Sequence, residues 1–136
     1  DVPRLQALLR VLEVLWHKQR RGRVLRPAIL RRTLQAAGAT RWDEFRNLLI
    51  DLGLVRRTDE GGYVLTRDLR TLTVSELVDL TPWPAAAQLR IGGDYTRPWE
   101  QALAERCAAA REGMRAPLSL SLEDLFTSAA EEKPHA

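Results

Sequence analysis

A chain of 136 residues, 45% hydrophobic and 29% charged, has the size and composition of an ordinary soluble domain able to bury a core. No apolar run approaches the ~20 residues of a bilayer span and no signal peptide is visible; Cys107 is the single cysteine, which excludes an internal disulfide. The net charge of +3 favours no single partner class, and Cys107 with His17 and His135 offers no zinc-ligand spacing, so no metal or cofactor is expected.

Leu5, Leu8, Leu9, Leu12, Leu15 and Trp16 mark a first helix over roughly Pro3 to Arg21, ended by Gly22. Pro27 opens a second helix, with Ile29, Leu30 and Leu34 expected to face inward and Gly38 near its end. Trp42, Phe45, Leu48, Leu49 and Leu52 predict a third helix, capped at Thr40 and stopped by Gly53 in a left-handed C-terminal cap. Val55 and Tyr63-Val64-Leu65 flank the polar turn Thr58-Asp59-Glu60-Gly61-Gly62, the pattern of a β-hairpin. Thr73 and Glu76 form a capping box for a short helix ending near Leu80.

This order predicts an α+β, mainly α fold: a winged helix of three helices and a hairpin wing over residues 1–84, followed by additional C-terminal helices. Pro82-Trp83-Pro84 interrupts regular structure, and Trp83 is expected to plug a connector against the core. Residues 85–130 read as that connector, with Gly92-Gly93 as a joint, and two helices packing back. The first runs from Pro98 to Arg115 with Trp99, Leu103 and Cys107 inward; the second starts at Ser121 and carries Leu125 and Phe126. The same alanine-rich stripe also suits a homodimer seam. Residues 131–136 read as a flexible tail. The start at Asp1, without a methionine, points to a piece of a longer chain.

The charge is unevenly placed. No acid occurs between Glu13 and Asp43, whereas that stretch holds eight cations: Lys18, Arg20, Arg21, Arg23, Arg26, Arg31, Arg32 and Arg41. From Asp43 onward, 11 basic residues face 16 acidic ones. Lys18, Arg20, Arg21, Arg23 and Arg26 straddle a helix end and a loop, so they suit an anionic membrane surface or nucleic-acid phosphates. They equally suit a solvated face that complements the helix dipole.

A DNA reader would instead use the third helix and wing, with Arg41, Arg46, Asn47, Arg56 and Arg57 as contacts. Asp43, Glu44 and Asp51 on that helix, and Asp59 and Glu60 at the hairpin tip, oppose a phosphate-lined groove. Catalytic signals are thin: Asp59 and Glu60 are solvated turn residues with nothing to tune them, and His17 reads as a helix-end partner. No Walker-type or dinucleotide glycine pattern occurs.

Leu8-Leu9-Arg10-Val11-Leu12-Glu13, Gly53-Leu54-Val55-Arg56-Arg57-Thr58, Gly62-Tyr63-Val64-Leu65-Thr66-Arg67-Asp68, Leu72-Thr73-Val74-Ser75-Glu76-Leu77 and Pro82-Trp83-Pro84 occur in that order. Together they resemble the cytosolic C-terminal extension of the YihY family of bacterial inner-membrane proteins, also labelled ribonuclease BN-like or BrkB-like. The resemblance implies an upstream membrane domain and a soluble domain on the cytoplasmic face of the inner membrane. The implied partners are that membrane domain, the anionic inner leaflet and a protein of unknown identity.

The ribonuclease label is not expected to transfer, because the metal-ligand motifs of hydrolytic zinc chemistry are missing. A weaker resemblance is to bacterial winged-helix repressors, whose iron–sulfur sensors need three cysteines. The reading from sequence is therefore a non-enzymatic winged-helix domain with a regulatory or assembly role. A DNA- or RNA-binding regulator is the alternative, and a tRNA-processing nuclease comes third.

Overall fold

A computed structural model describes residues 2–22, 26–36, 38, 42–83, 91–93, 95–113 and 118–132. Among the described residues, six helices and a two-stranded antiparallel sheet make the chain α+β and mainly α. Two compact units divide it: Ala7–Asp68, and Leu69–Ala136 together with Asp1–Gln6.

Helix α1 spans Arg4–Arg20 and contributes most of its length to the first unit. The periodicity of its leucines suggests one apolar face, yet every residue from Leu5 to Trp16 is buried. Gln6, Arg10 and Glu13 are included, and they fall on one stripe at spacings of four and three. Arg10 stays there because it is bonded: its Nη1 donates to the Gly38 carbonyl at 3.0 Å.

Helix α2 spans Pro27–Ala36 and buries only Leu30 and Leu34 among its residues. Ile29, expected inward, is 48% exposed. One position away from Leu30 is a turn of about 100°, enough to carry a side chain off the stripe.

Helix α3, Trp42–Asp51, buries Trp42, Phe45 and Leu49, while Leu48 and Leu52 are half-buried. Its end follows the expected cap. Gly53 has φ 73°, its N–H donates to the Ile50 carbonyl at 3.0 Å, and the Leu54 N–H reaches back to the Leu49 carbonyl at 3.0 Å. This paired closure satisfies two carbonyls that the helix would otherwise leave open.

The chain then enters β1 (Val55–Arg57), which pairs with β2 (Tyr63–Leu65) in the register Val55↔Leu65 and Arg57↔Tyr63. Gly61 takes φ 82° in the turn, and the Thr58 hydroxyl accepts the Gly62 N–H at 3.0 Å. Tyr63 meets Trp42 edge to face, with centroids 4.9 Å apart, which holds the hairpin against α3. Thr40 and Arg41 lie outside the described residues.

In the second unit, α4 (Val74–Leu80) carries the expected capping box: Thr73 Oγ1 accepts the Glu76 N–H at 3.0 Å, and the Glu76 carboxylate accepts the Thr73 N–H. Thr73 also bridges Ser121, and the Leu122 N–H donates to the Leu72 carbonyl at 2.9 Å, a pairing the sequence does not announce.

Helix α5 spans Pro98–Gly113 and α6 spans Leu122–Glu132. Trp99, Leu103 and Cys107 are fully buried, as their spacing predicts, and Trp99 packs on Phe126 with centroids 5.6 Å apart. Trp83 is half-buried, with the Arg4 guanidinium 5.6 Å from its ring centroid, and most of the connector it was expected to plug lies outside the described residues. Pro84 and residues 85–90 lie outside the described residues, as do Arg115 and residues 133–136.

Candidate functional site

The most organised charged surface lies at the C-terminal end of α1. Trp16 is buried there, and Arg20, four residues on, falls on the same helix face. Its guanidinium carbon sits 4.7 Å from the indole centroid, a cation–π contact that restrains an otherwise mobile side chain. The His17 ring also leans on Trp16, with centroids 4.8 Å apart. His17 Nε2 lies 3.5 Å from the carboxylate of Glu13, which is buried whereas His17 is largely exposed.

Arg20 and Arg21 are exposed beside it, and His17, Arg20 and Arg21 line a cleft of about 300 Å³. Two carbonyls of the helix end are closed by the backbone. The Arg21 N–H takes the Lys18 carbonyl at 3.1 Å, the Gly22 N–H takes the Gln19 carbonyl at 2.9 Å, and Gly22 adopts φ 68° to allow it. Gln19 ties the same turn to the hairpin by accepting the Leu65 N–H at 2.8 Å.

Of the basic residues expected at an anionic surface, Arg20 and Arg21 come together at this cleft. Lys18 is half-buried and Arg26 exposed, but neither lines it. Arg23 lies outside the described residues. His17, expected only as a helix-end partner, does pair with Glu13 but also forms a wall of the cleft. Its spacing to Trp16 and Arg20 was the available signal, though only the folded helix end shows that all three converge.

The alternative set divides between two elements. Arg46 is half-buried and Asn47 exposed on α3, while Arg56 and Arg57 are exposed on β1. The exposed face of α3 also presents Asp43, Glu44, Ile50 and Asp51, and Asp59 and Glu60 stand exposed at the hairpin tip. Asp43 is engaged at 3.7 Å by Arg31 of α2. Arg41 lies outside the described residues. Among the described residues, no three metal-ligating side chains converge, and none of the helices is long and apolar enough to cross a membrane.

No family model matches the chain, and no solved structure matches it. Curated relatives do. A UPF0761 membrane protein of Alcanivorax borkumensis is 52% identical over 134 residues, covering 98% of this chain and 31% of the relative. UPF0761 membrane proteins of Alkalilimnicola ehrlichii and Azotobacter vinelandii are 35% and 34% identical, covering 93% and 75% of the chain. The chain thus spans 31%, 28% and 25% of these three relatives' lengths. Identity extending over nearly all of its residues shows that the chain belongs to the UPF0761 membrane-protein family, also known as YihY/BrkB.

Proposed function

We propose that this chain is a non-enzymatic winged-helix module of a polytopic bacterial inner-membrane protein, lying on the cytoplasmic face. Its role there is regulatory or in assembly, exercised by contact with the anionic leaflet and with protein partners. The order of three helices, a hairpin and a short capped helix supports the winged-helix reading. The observation that carries the surface role is the segregation of charge: eight cations and no acid between Glu13 and Asp43. A protein tethered at an anionic leaflet gains ~1 kcal/mol for each such residue held near the surface. Relatives named as membrane proteins make that setting the natural one.

Co-sedimentation with vesicles at low and high salt tests the reading. Recovery should rise with anionic phospholipid and fall as salt screens the attraction. Equal recovery on neutral and anionic vesicles would remove the leaflet role.

A nucleic-acid regulator is the competing reading, supported by Asn47, Arg56 and Arg57 at the surface. The exposed Asp43, Glu44 and Asp51 on α3 weigh against it, since a phosphate-lined groove repels them. Anisotropy with labelled duplex DNA and RNA at low ionic strength separates the two. Salt-sensitive binding lost on replacing Arg46 would favour the regulator.

A further inference from the structure

We infer that the cleft at the end of α1 is a binding site for a single phosphate group of an anionic phospholipid, with Arg20 as its main donor and Arg21 and His17 as its walls. The inference rests on the membrane-surface reading but is narrower: a diffuse basic face attracts a leaflet, whereas a built cleft selects a headgroup.

Three features separate this cleft from a solvated cluster of cations. Arg20 is restrained by its 4.7 Å contact with the buried Trp16, so less rotamer freedom is lost when it binds. Its planar guanidinium then offers paired N–H donors, the geometry that suits phosphate oxygens. His17 is held from two sides, by the Trp16 ring and by Glu13. At about 300 Å³, the cleft is the size of a small polar headgroup.

The competing occupant is the phosphate backbone of a nucleic acid. The acidic residues Asp59 and Glu60 at the hairpin tip, and Asp43, Glu44 and Asp51 on α3, disfavour a long polyanion laid across this unit. A headgroup presents one charge and does not have to run past them.

The test uses the full chain with vesicles of phosphatidylcholine containing phosphatidylglycerol, with soluble glycerol phosphate and with an RNA oligonucleotide. Four variants are compared: Arg20→Lys, Arg20→Gln/Arg21→Gln, His17→Gln and the charge-matched control Arg31→Gln/Arg32→Gln. The cleft pair should lower vesicle affinity at least roughly thirtyfold, and clearly more than the control pair, whose Arg31 is already engaged by Asp43. Arg20→Lys keeps the charge but loses the planar donor, and should still lower affinity about fivefold. His17→Gln should weaken binding about threefold, measured at a temperature where the thermal melt shows the variant fully folded. Glycerol phosphate should shift the His17 ring resonances saturably in the parent chain and not in the Arg20→Gln/Arg21→Gln variant.

Equal losses for the cleft and control pairs, with Arg20→Lys like the parent, would overturn the cleft while leaving the leaflet role standing. Indifference of the parent chain to anionic lipid would end the leaflet role. If glycerol phosphate still shifted the His17 ring resonances in that case, a free phosphate ester would replace the lipid as ligand and the proposal in its lipid form would fall. RNA binding tighter than vesicle binding, through the same three side chains, would overturn it as well.

Discussion

The buried pair Gln6 and Glu100 gives the sharpest test of the reasoning about polar groups in this fold. Both side chains are 0% exposed. Glu100 stands in the first turn of α5, where its Oε1 accepts the Thr96 N–H at 3.0 Å, the Arg97 N–H at 2.7 Å and the Thr96 hydroxyl at 3.3 Å. Its Oε2 receives the amide of Gln6, whose oxygen accepts the Gly92 N–H at 2.7 Å. The Gly92 bond dictates the orientation of Gln6: oxygen toward the loop, NH2 toward the carboxylate.

Glu100→Gln keeps the volume and one acceptor oxygen, so the bonds to Thr96 and Arg97 survive in weaker, neutral form. Its new NH2 faces the NH2 of Gln6. Rotating the Gln6 amide only moves the conflict to the Gly92 N–H. Whichever arrangement is adopted, one buried donor lacks an acceptor, and the loss should be about 2–4 kcal/mol in all. Gln6→Glu places two carboxylates face to face and should cost a similar ~2–4 kcal/mol near neutral pH.

The double variant Gln6→Glu/Glu100→Gln restores donor to acceptor: the amide at position 100 donates to the carboxylate at position 6, which still accepts from Gly92. Urea unfolding of the four proteins should give a favourable coupling of roughly 2 kcal/mol, with the double variant more stable than either single one. A Glu100→Gln protein within about 0.5 kcal/mol of the parent would refute the argument, as would a double variant that merely sums the single losses.

Phe45→Ala should destabilise the chain by about 3–5 kcal/mol in thermal or urea unfolding, because Phe45 is 0% exposed and its removal leaves a cavity. Gly53→Ala should cost only about 1 kcal/mol: φ is +73° and an added Cβ meets nothing within 4 Å, so the left-handed backbone is the sole penalty. A larger loss would mean that Leu54 and the strand behind it had shifted. Thr73→Ala should cost about 1 kcal/mol by opening the capping box of α4, with Thr73→Ser recovering most of it.

Features set by a few neighbouring residues were legible without the fold. The Gly53 closure, the Thr73 and Glu76 box and the Gly61 turn each depend on backbone angles and bonds spanning about a helical turn, which residue type alone constrains. The charge gap between Glu13 and Asp43 is likewise a property of the sequence, as is the order of the elements. Tertiary structure decided what the α1 side chains do. Gln6, Arg10 and Glu13 are polar residues between leucines, yet all three are buried. The partners that make this tolerable for Gln6 and Arg10 stand 94, 86 and 28 residues away, at Glu100, Gly92 and Gly38. Ile29 went the other way, toward water, because an apolar side chain is buried only where another element arrives to cover it. The cleft at Arg20 combines both kinds of information. Its cations are plain in the sequence, but their restraint depends on Trp16 being buried, and burial is a property of the packed chain.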